Sequence, residues 1–254
     1  MGRRFGQHFL ARKSILNRIA EAACADSPET VIEIGPGKGA LTECLLEYPG
    51  RVVAIEVDTV LVHYLRQKFR DAVESGKLQI IEGDILKAEL APLGKRPVIA
   101  GNLPYYITSP ILDKVFALEG QWQRAVFLVQ AEVAERITAD PGSRDFGYLS
   151  VLAQIHSHAE NLFPVSKEAF RPPPKVESAV IRLIPRDAAA EMGIRDVPGF
   201  LKFAQVCFRQ KRKTLRNNLA PVYGTERVDA LPEAKQRAEQ LSLEQLVSIH
   251  EKLQ

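Results

Sequence analysis

The sequence predicts an α/β fold: a mostly parallel sheet of about seven strands with an antiparallel edge hairpin, followed by a small all-helical domain. Three observations carry this. Short β-branched runs alternate with stretches of helical spacing, the pattern of crossover units between parallel strands. The first run opens into a glycine-rich loop, Gly35-Pro-Gly37-Lys-Gly39. No strand pattern follows Pro198. A length of 254 residues allows one to two domains. Residues 1–186 are expected to hold an N-terminal arm and the sheet domain, and 187–254 the helices.

In order, Val31–Gly35, Arg51–Val57, Leu78–Glu82, Pro97–Gly101 and Ala125–Val129 read as five strands. Between them, Ile15, Ile19, Ala22 and Ala23 share a helical face. Leu41–Leu46 is a second helical stretch, Val60, Leu61, Tyr64, Leu65 and Phe69 mark a third, and Ile111, Leu112, Val115 and Phe116 a fourth. Ser150–Ile155 and Ser178–Ile184 read as two more strands. The connection between them is Pro-rich and has no good helix, so they are expected as an antiparallel hairpin at the sheet edge. Pro185–Pro198 reads as a linker. Phe200, Ala204, Phe208, Leu215 and Leu219 then recur at helical spacing, and Leu241–Leu253 is helical again.

Composition narrows the class. Hydrophobic residues make up 46% and charged residues 26%, which is globular and not disordered. The net charge of +3 is too small to prove a polyanionic partner, so its distribution must decide. Cys24, Cys44 and Cys207 are far apart and odd in number, which argues against a disulfide framework and a cysteine-rich metal site. They are expected as reduced core residues. No run approaches the roughly 18 apolar residues of a membrane helix. The charged start, Met1-Gly-Arg-Arg, has no apolar stretch behind it and is no secretory signal. Gly6 stands where a myristoylation motif wants Ser or Thr. A cytoplasmic protein with no metal, no membrane and no evident obligate protein partner is the expectation.

Three elements fall at the carboxyl ends of the first three strands, where open α/β sheets bind ligands. The first is Glu33-Ile-Gly35-Pro-Gly37-Lys-Gly39-Ala40. The second is Glu56, 21 positions beyond Gly35, placed to accept both hydroxyl protons of a ribose. The third is Gly83-Asp84, placed to read an adenine amino group. The plain alternative is a tight turn after a buried strand. A sharper one is dinucleotide binding, since Gly35-x-Gly37-x-x-Ala40 fits that fingerprint. Glu33 favours a nucleoside without a pyrophosphate, because its charge opposes a diphosphate and suits an ammonium group. The set Glu33, Gly35, Gly37, Glu56 and Asp84 resembles the S-adenosylmethionine site of Rossmann-like methyltransferases.

The fourth strand ends in Gly101-Asn102-Leu103-Pro104-Tyr105-Tyr106. Pro104 holds the loop extended and stiff. Asn102 then offers a side-chain carbonyl, Leu103 its backbone carbonyl, and Tyr105 a flat face. An exocyclic adenine amine is a poor nucleophile because its lone pair is delocalised into the ring. Two acceptors gripping its N–H bonds favour pyramidal geometry and expose that lone pair. The alternative is a polar strand-to-helix turn in which Asn102 or Ser109 caps the helix.

Asn102-x-Pro104-Tyr105 looks like the N6-adenine branch of the amino-methyltransferases. Phe5-Gly-Gln-His8-Phe-Leu10, Phe170-Arg-Pro-Pro-Pro-Lys175-Val-Glu-Ser178 and Phe208-Arg-Gln-Lys-Arg-Lys-Thr-Leu-Arg-Asn217 narrow the likeness. They resemble motifs of the KsgA-type small-subunit (16S) rRNA adenine N6,N6-dimethyltransferases. His8 departs from the family's usual Asn. The resemblance implies a Rossmann-like methyltransferase sheet, S-adenosylmethionine as cofactor, and two methyl transfers to each of two adjacent adenosines near the 3′ end of small-subunit rRNA, within a ribosomal particle. It implies that His8, Leu10, Gly35, Glu56, Asp84 and Asn102 contact the cofactor. Asn102, Leu103 and Tyr105, on the loop stiffened by Pro104, would grip the adenine, with Phe170 on its other face. For Phe170, ordinary core packing is the alternative.

Lys202–Leu219 holds six Lys/Arg and no acid. Arg209, Lys211, Arg212, Lys213 and Arg216 are its candidate RNA contacts. Arg3, Arg4, Arg12, Lys13 and Arg18 form a second acid-free run. Charge runs are usually solvated faces, but two of them beside a base-reactive site suggest a phosphate footprint. Three rivals remain: a large-subunit rRNA methyltransferase of the macrolide-resistance type, a non-catalytic RNA-binding assembly factor, and an NAD-dependent oxidoreductase.

Overall fold

The computed structural model describes residues 8–254. Arg3, Arg4 and Phe5 of the arm lie outside the described residues. Among the described residues nine strands form: β1 (Phe9–Leu10), β2 (Thr30–Ile34), β3 (Arg51–Glu56), β4 (Leu78–Glu82), β5 (Val98–Asn102), β6 (Arg124–Gln130), β7 (Ser157–Val165), β8 (Phe170–Arg171) and β9 (Ser178–Pro185). Seven make one sheet in the order β4-β3-β2-β5-β6-β9-β7, and β1 and β8 form a separate antiparallel ribbon. The five predicted parallel strands pair in parallel, with Ile32 opposite both Val53 and Ile99. Strands β2, β3, β5 and β6 are buried almost throughout, which explains their unbroken apolar runs.

The chain leaves β2 toward β3 on one side and returns to β5 on the other. The carboxyl ends of β2 and β5 therefore form the switch point of the sheet. The two backbones crowd there: a Cβ on Gly101 would lie 2.6 Å from the Ile34 carbonyl oxygen. Only glycine permits that approach.

Ser150–Ile155 is not a strand. It lies within a helix, Tyr148–His156, whose Ser150 hydroxyl accepts the Gly147 N–H at 3.0 Å. A run of six residues with only Ser150 and Gln154 polar does not reveal its period, and its burial suits either element. The edge strand is the next segment, β7, polar and containing Pro164, a residue tolerated where no inner ladder is needed. The expected linker also carries structure, a short helix Ala188–Glu191 capped by Asp187.

Two compact units emerge. One runs up to Ala134 and resumes over Glu160–Pro185; the other comprises Glu135–Ala159 and Arg186–Gln254. The first packs Ile19, Ala23, Val52, Leu65, Val98 and Val126 into the layers around the sheet. The second has its own core around Phe146, Phe200, Phe203, Leu215, Leu219 and Ile249. Among the described residues, no helix is long and apolar enough to cross a membrane. All three cysteines are buried and free.

Candidate active site

Backbone conformation shapes the glycine loop. Gly35, Gly37 and Gly39 all have positive φ, at 64°, 58° and 77°, a region costly for residues with a Cβ. A Cβ on Gly35 would meet nothing within 4 Å, so the loop's backbone is open on that side. A Cβ on Gly37 would press on the Phe9 ring at 3.0 Å. The Lys38 ammonium lies 5.1 Å from the centroid of the same ring. The arm therefore lies across the glycine loop.

Two carboxylates underlie this loop. Glu56 accepts the Gly37 N–H at 3.1 Å on one oxygen and the Asp58 N–H at 3.0 Å on the other. Burial pushes its carboxyl upward, opposed by those backbone donors. Each oxygen keeps a lone pair for a further donor. Glu33 lies deeper, 1% exposed, and accepts the Thr42 hydroxyl at 2.6 Å. Burial pushes its carboxyl up to about 7 against the pull of Thr42, with Glu56 adding to the rise. Asp84, half-buried after β4, accepts the Leu86 N–H at 2.9 Å on Oδ1 and leaves its other oxygen for a ligand. This set of carboxylate acceptors thus suits a nucleoside carrying hydroxyls and a cation, and opposes a pyrophosphate.

The acceptor loop extends β5. The Leu103 N–H bonds the Leu128 carbonyl at 3.0 Å, and Pro104 has an extended backbone (φ −61°, ψ 126°). No donor among the described residues reaches the Leu103 carbonyl. The helix that follows, Thr108–Phe116, has Ile107 at its N-cap and no side-chain cap, so neither Asn102 nor Ser109 serves there. Instead, Asn102 Nδ2 donates to the His8 carbonyl at 3.2 Å. A carbonyl can only accept, so the amide's NH₂ must face it. Oδ1 is thereby turned away, to the other side of the amide.

His8 closes this arrangement. Its Nδ1 and the Pro172 carbonyl are 2.9 Å apart, so Nδ1 carries the proton. Ala11 N–H to Ala169 carbonyl, at 2.8 Å, continues the β1–β8 ribbon. The arm, the Asn102 loop and the Pro-rich segment, three stretches distant in sequence, meet at one place. Leu10 is buried. Phe170 is also fully buried, packed in the core that contains Leu10, Val165, Ala169 and Val180. Its ring has no free face here, which is the packing alternative.

Comparison with known proteins places the chain. The ribosomal RNA adenine dimethylase family model matches residues 1–254. The chain belongs to that family. A ribosomal RNA small subunit methyltransferase A from Acidobacterium capsulatum is 42% identical over 97% of this chain and 89% of its own length. One of the same description from Parabacteroides distasonis is 43% identical over 96% and 90%. Among solved structures, a dimethyladenosine transferase from Plasmodium falciparum superposes with a TM-score of 0.80 at 25% identity, covering 95% of this chain and 96% of its own. The 23S rRNA methyltransferase ErmE gives 0.70 at 28% identity, covering 96% and 99%.

In this dimethylase the basic stretch is not a continuous helix. One helix ends at Cys207 and the next begins at Leu215. Arg209, Lys211, Arg212 and Lys213 lie exposed on the turn between them. Arg216, in the first turn of the second helix, pairs with Asp229 at 2.5 Å, which offsets its charge. A residue that no sequence motif singled out holds this turn. Asn218 is buried; its Nδ2 donates to the carbonyls of Cys207 (2.9 Å) and Gln210 (3.3 Å), and its Oδ1 accepts the Gln210 N–H (3.1 Å). Its only signal was an Asn in a helix, a residue type ill-suited to helix interiors. Among the described residues, no cluster of His, Cys, Asp and Glu could hold a metal ion.

Proposed function

We propose that this enzyme transfers two methyl groups to N6 of each of two adjacent adenosines near the 3′ end of small-subunit rRNA, in a ribosomal particle in the cytoplasm. One observation carries the chemistry: the His8 carbonyl fixes the Asn102 amide so that Oδ1 remains to accept a proton. The small-subunit target is favoured by relatives at 42% and 43% identity over nearly the whole chain, against 28% for the 23S enzyme.

S-adenosylmethionine, when bound, supplies an electrophilic methyl group on a sulfonium. The residues present fit it. Glu56 would take the ribose hydroxyls and Asp84 the adenine amine. The open backbone at Gly35 would admit the methionine end, with Gly37 beside it under the Phe9 ring and Glu33 beneath as counter-charge, and His8 and Leu10 would close the site from the arm. Asn102 Oδ1 and the Leu103 carbonyl would hold the two N–H bonds of the target amine, and the Tyr105 face would hold the base in plane. Phe170 would support the ribbon from the core. These residues act by positioning, which is worth roughly 7–11 kcal/mol when two reactants are well oriented. The exposed turn from Arg209 to Lys213, with Arg216, would neutralise phosphates.

The test is incubation with radiolabelled S-adenosylmethionine and undermethylated ribosomal particles, followed by nucleoside analysis of each rRNA. Label in N6,N6-dimethyladenosine of the small-subunit rRNA is expected. Label confined to the large-subunit rRNA overturns the reading.

A further inference from the structure

Strands β2, β3, β4 and β5 reach the site by their carboxyl ends, whereas β9 reaches it by its start. It runs antiparallel to β6, with Ser178 opposite Gln130. Its first residue therefore lies at the edge where the parallel strands finish. Ser178 is fully buried, and its Oγ shares a 2.9 Å hydrogen bond with the Tyr105 hydroxyl. Tyr105 itself is half-buried, on the short turn after Pro104. Its ring is thus held at both ends, by the stiff loop at Cα and by the sheet at the hydroxyl. A phenolic O–H lies in the plane of its ring, so a fixed partner at the hydroxyl restrains the ring's plane as well as its reach.

We propose that Ser178 is a positioning residue that sets the Tyr105 ring, and that this pair governs the second methyl transfer on each adenosine more than the first. The inference rests on the acceptor reading above. Each transfer breaks a methyl–sulfur bond, forms an N6–carbon bond and releases one N6 proton to water. The unmodified amine offers two N–H bonds, one for Asn102 Oδ1 and one for the Leu103 carbonyl. After the first transfer a single N–H remains, and one acceptor loses its grip. The aromatic face then carries more of the orientation, and a wandering ring costs more.

The test compares the parent, Tyr105→Phe, Ser178→Ala and the double variant in single-turnover reactions on small-subunit particles. N6-methyladenosine and N6,N6-dimethyladenosine are measured separately against time. Either single variant should slow the second transfer by about 3- to 10-fold, the worth of one hydrogen bond, and the first by less. The double variant should be no slower than the singles, because both remove one bond. Cofactor affinity should be unchanged. Tyr105→Phe deletes only a half-buried hydroxyl and reports the same bond if Ser178→Ala folds poorly. Parent-like second transfer in Tyr105→Phe, equal slowing of both transfers, or losses that multiply in the double variant overturn the proposal. Tyr105→Ala separates the two levels. If it keeps parent rates, the aromatic-face reading itself fails. If it is slow while Tyr105→Phe and Ser178→Ala are parent-like, only the Ser178 inference fails.

Discussion

In the sheet unit, the candidate site is made of buried carboxylates, left-handed glycines and an amide whose orientation is fixed; in the helical unit, it is a row of exposed cations on a turn. The difference follows from what each must recognise. Orienting one amine beside one methyl group needs groups whose positions do not relax. Neutralising phosphates needs charge near a polyanion, and flexible side chains supply it. Rigidity is present in the second unit too, one step removed, where buried Asn218 holds the turn and leaves the cations free.

Breaking the precise half should have the largest effect. Asn102→Ala is expected to slow methyl transfer by about 10²- to 10³-fold in single turnover, as removal of an oriented transition-state hydrogen bond does elsewhere. RNA affinity should barely change, because phosphate contacts remain. A parent-like transfer rate would remove Asn102 from the chemistry. Glu56→Ala comes next. It removes charge-assisted bonds worth about 1.5–3 kcal/mol each and also frees the Gly37 and Asp58 N–H groups. Calorimetry should show the drop in S-adenosylmethionine affinity, and unchanged affinity would move the cofactor elsewhere.

The two halves also differed in how far the sequence revealed them. All five parallel strands, the glycine loop and the Asn102 loop were legible, because β-branched runs ending in glycines and carboxylates have few other readings. The helix Thr59–Lys68 was legible as a helix but not in its facing: Val62 and Leu65 are buried, while Val60 and Tyr64 stay exposed. Tertiary packing chose between neighbouring apolar stripes. The Tyr148–His156 helix was not legible, because a run this short with so few polar residues shows no period. The His8–Asn102 and Ser178–Tyr105 bonds join residues 94 and 73 positions apart. No local pattern announces such a pairing.

The electrostatic half should respond in proportion. Reversing Arg209, Lys211, Arg212 and Lys213 should lower affinity for the particle and flatten its salt dependence, by about one unit of slope for each phosphate no longer neutralised. Cofactor affinity should hold. Asn218→Ala, which removes no charge, should weaken binding less and leave the salt slope nearly intact. If its slope collapses as far as the charge reversal's, Asn218 does more than hold the turn.

The smallest effect is one of sign, and it separates the units most cleanly. Burial raises Glu33 in the sheet unit from 4.5 to about 7. The folded state then binds the proton more tightly than the unfolded chain. That contribution to stability is fully present below 4.5 and is lost as pH rises through about 7. His250 in the helical unit behaves in the opposite sense. It packs with Phe200 and Phe203, ring centroids 5.5 and 5.2 Å away, and burial lowers its pKa below 6.5, opposed by Asp196 and Glu251. Here the unfolded chain takes the proton first, so stability present above 6.5 is lost as pH falls. Hydrogen exchange, corrected for intrinsic rates, reads the two regions separately. Protection of β2 should decline from about pH 5 to 8, and protection of the helix Leu243–Leu253 should rise over the lower part of that range. Glu33→Gln, which mimics the protonated carboxyl, should flatten most of the first trend, the raised Glu56 carboxyl supplying the rest, and leave the second. If β2 keeps its full slope in Glu33→Gln, another group titrates there. If both regions slope the same way in the parent, the contrast between the units does not extend to their buried titrating groups.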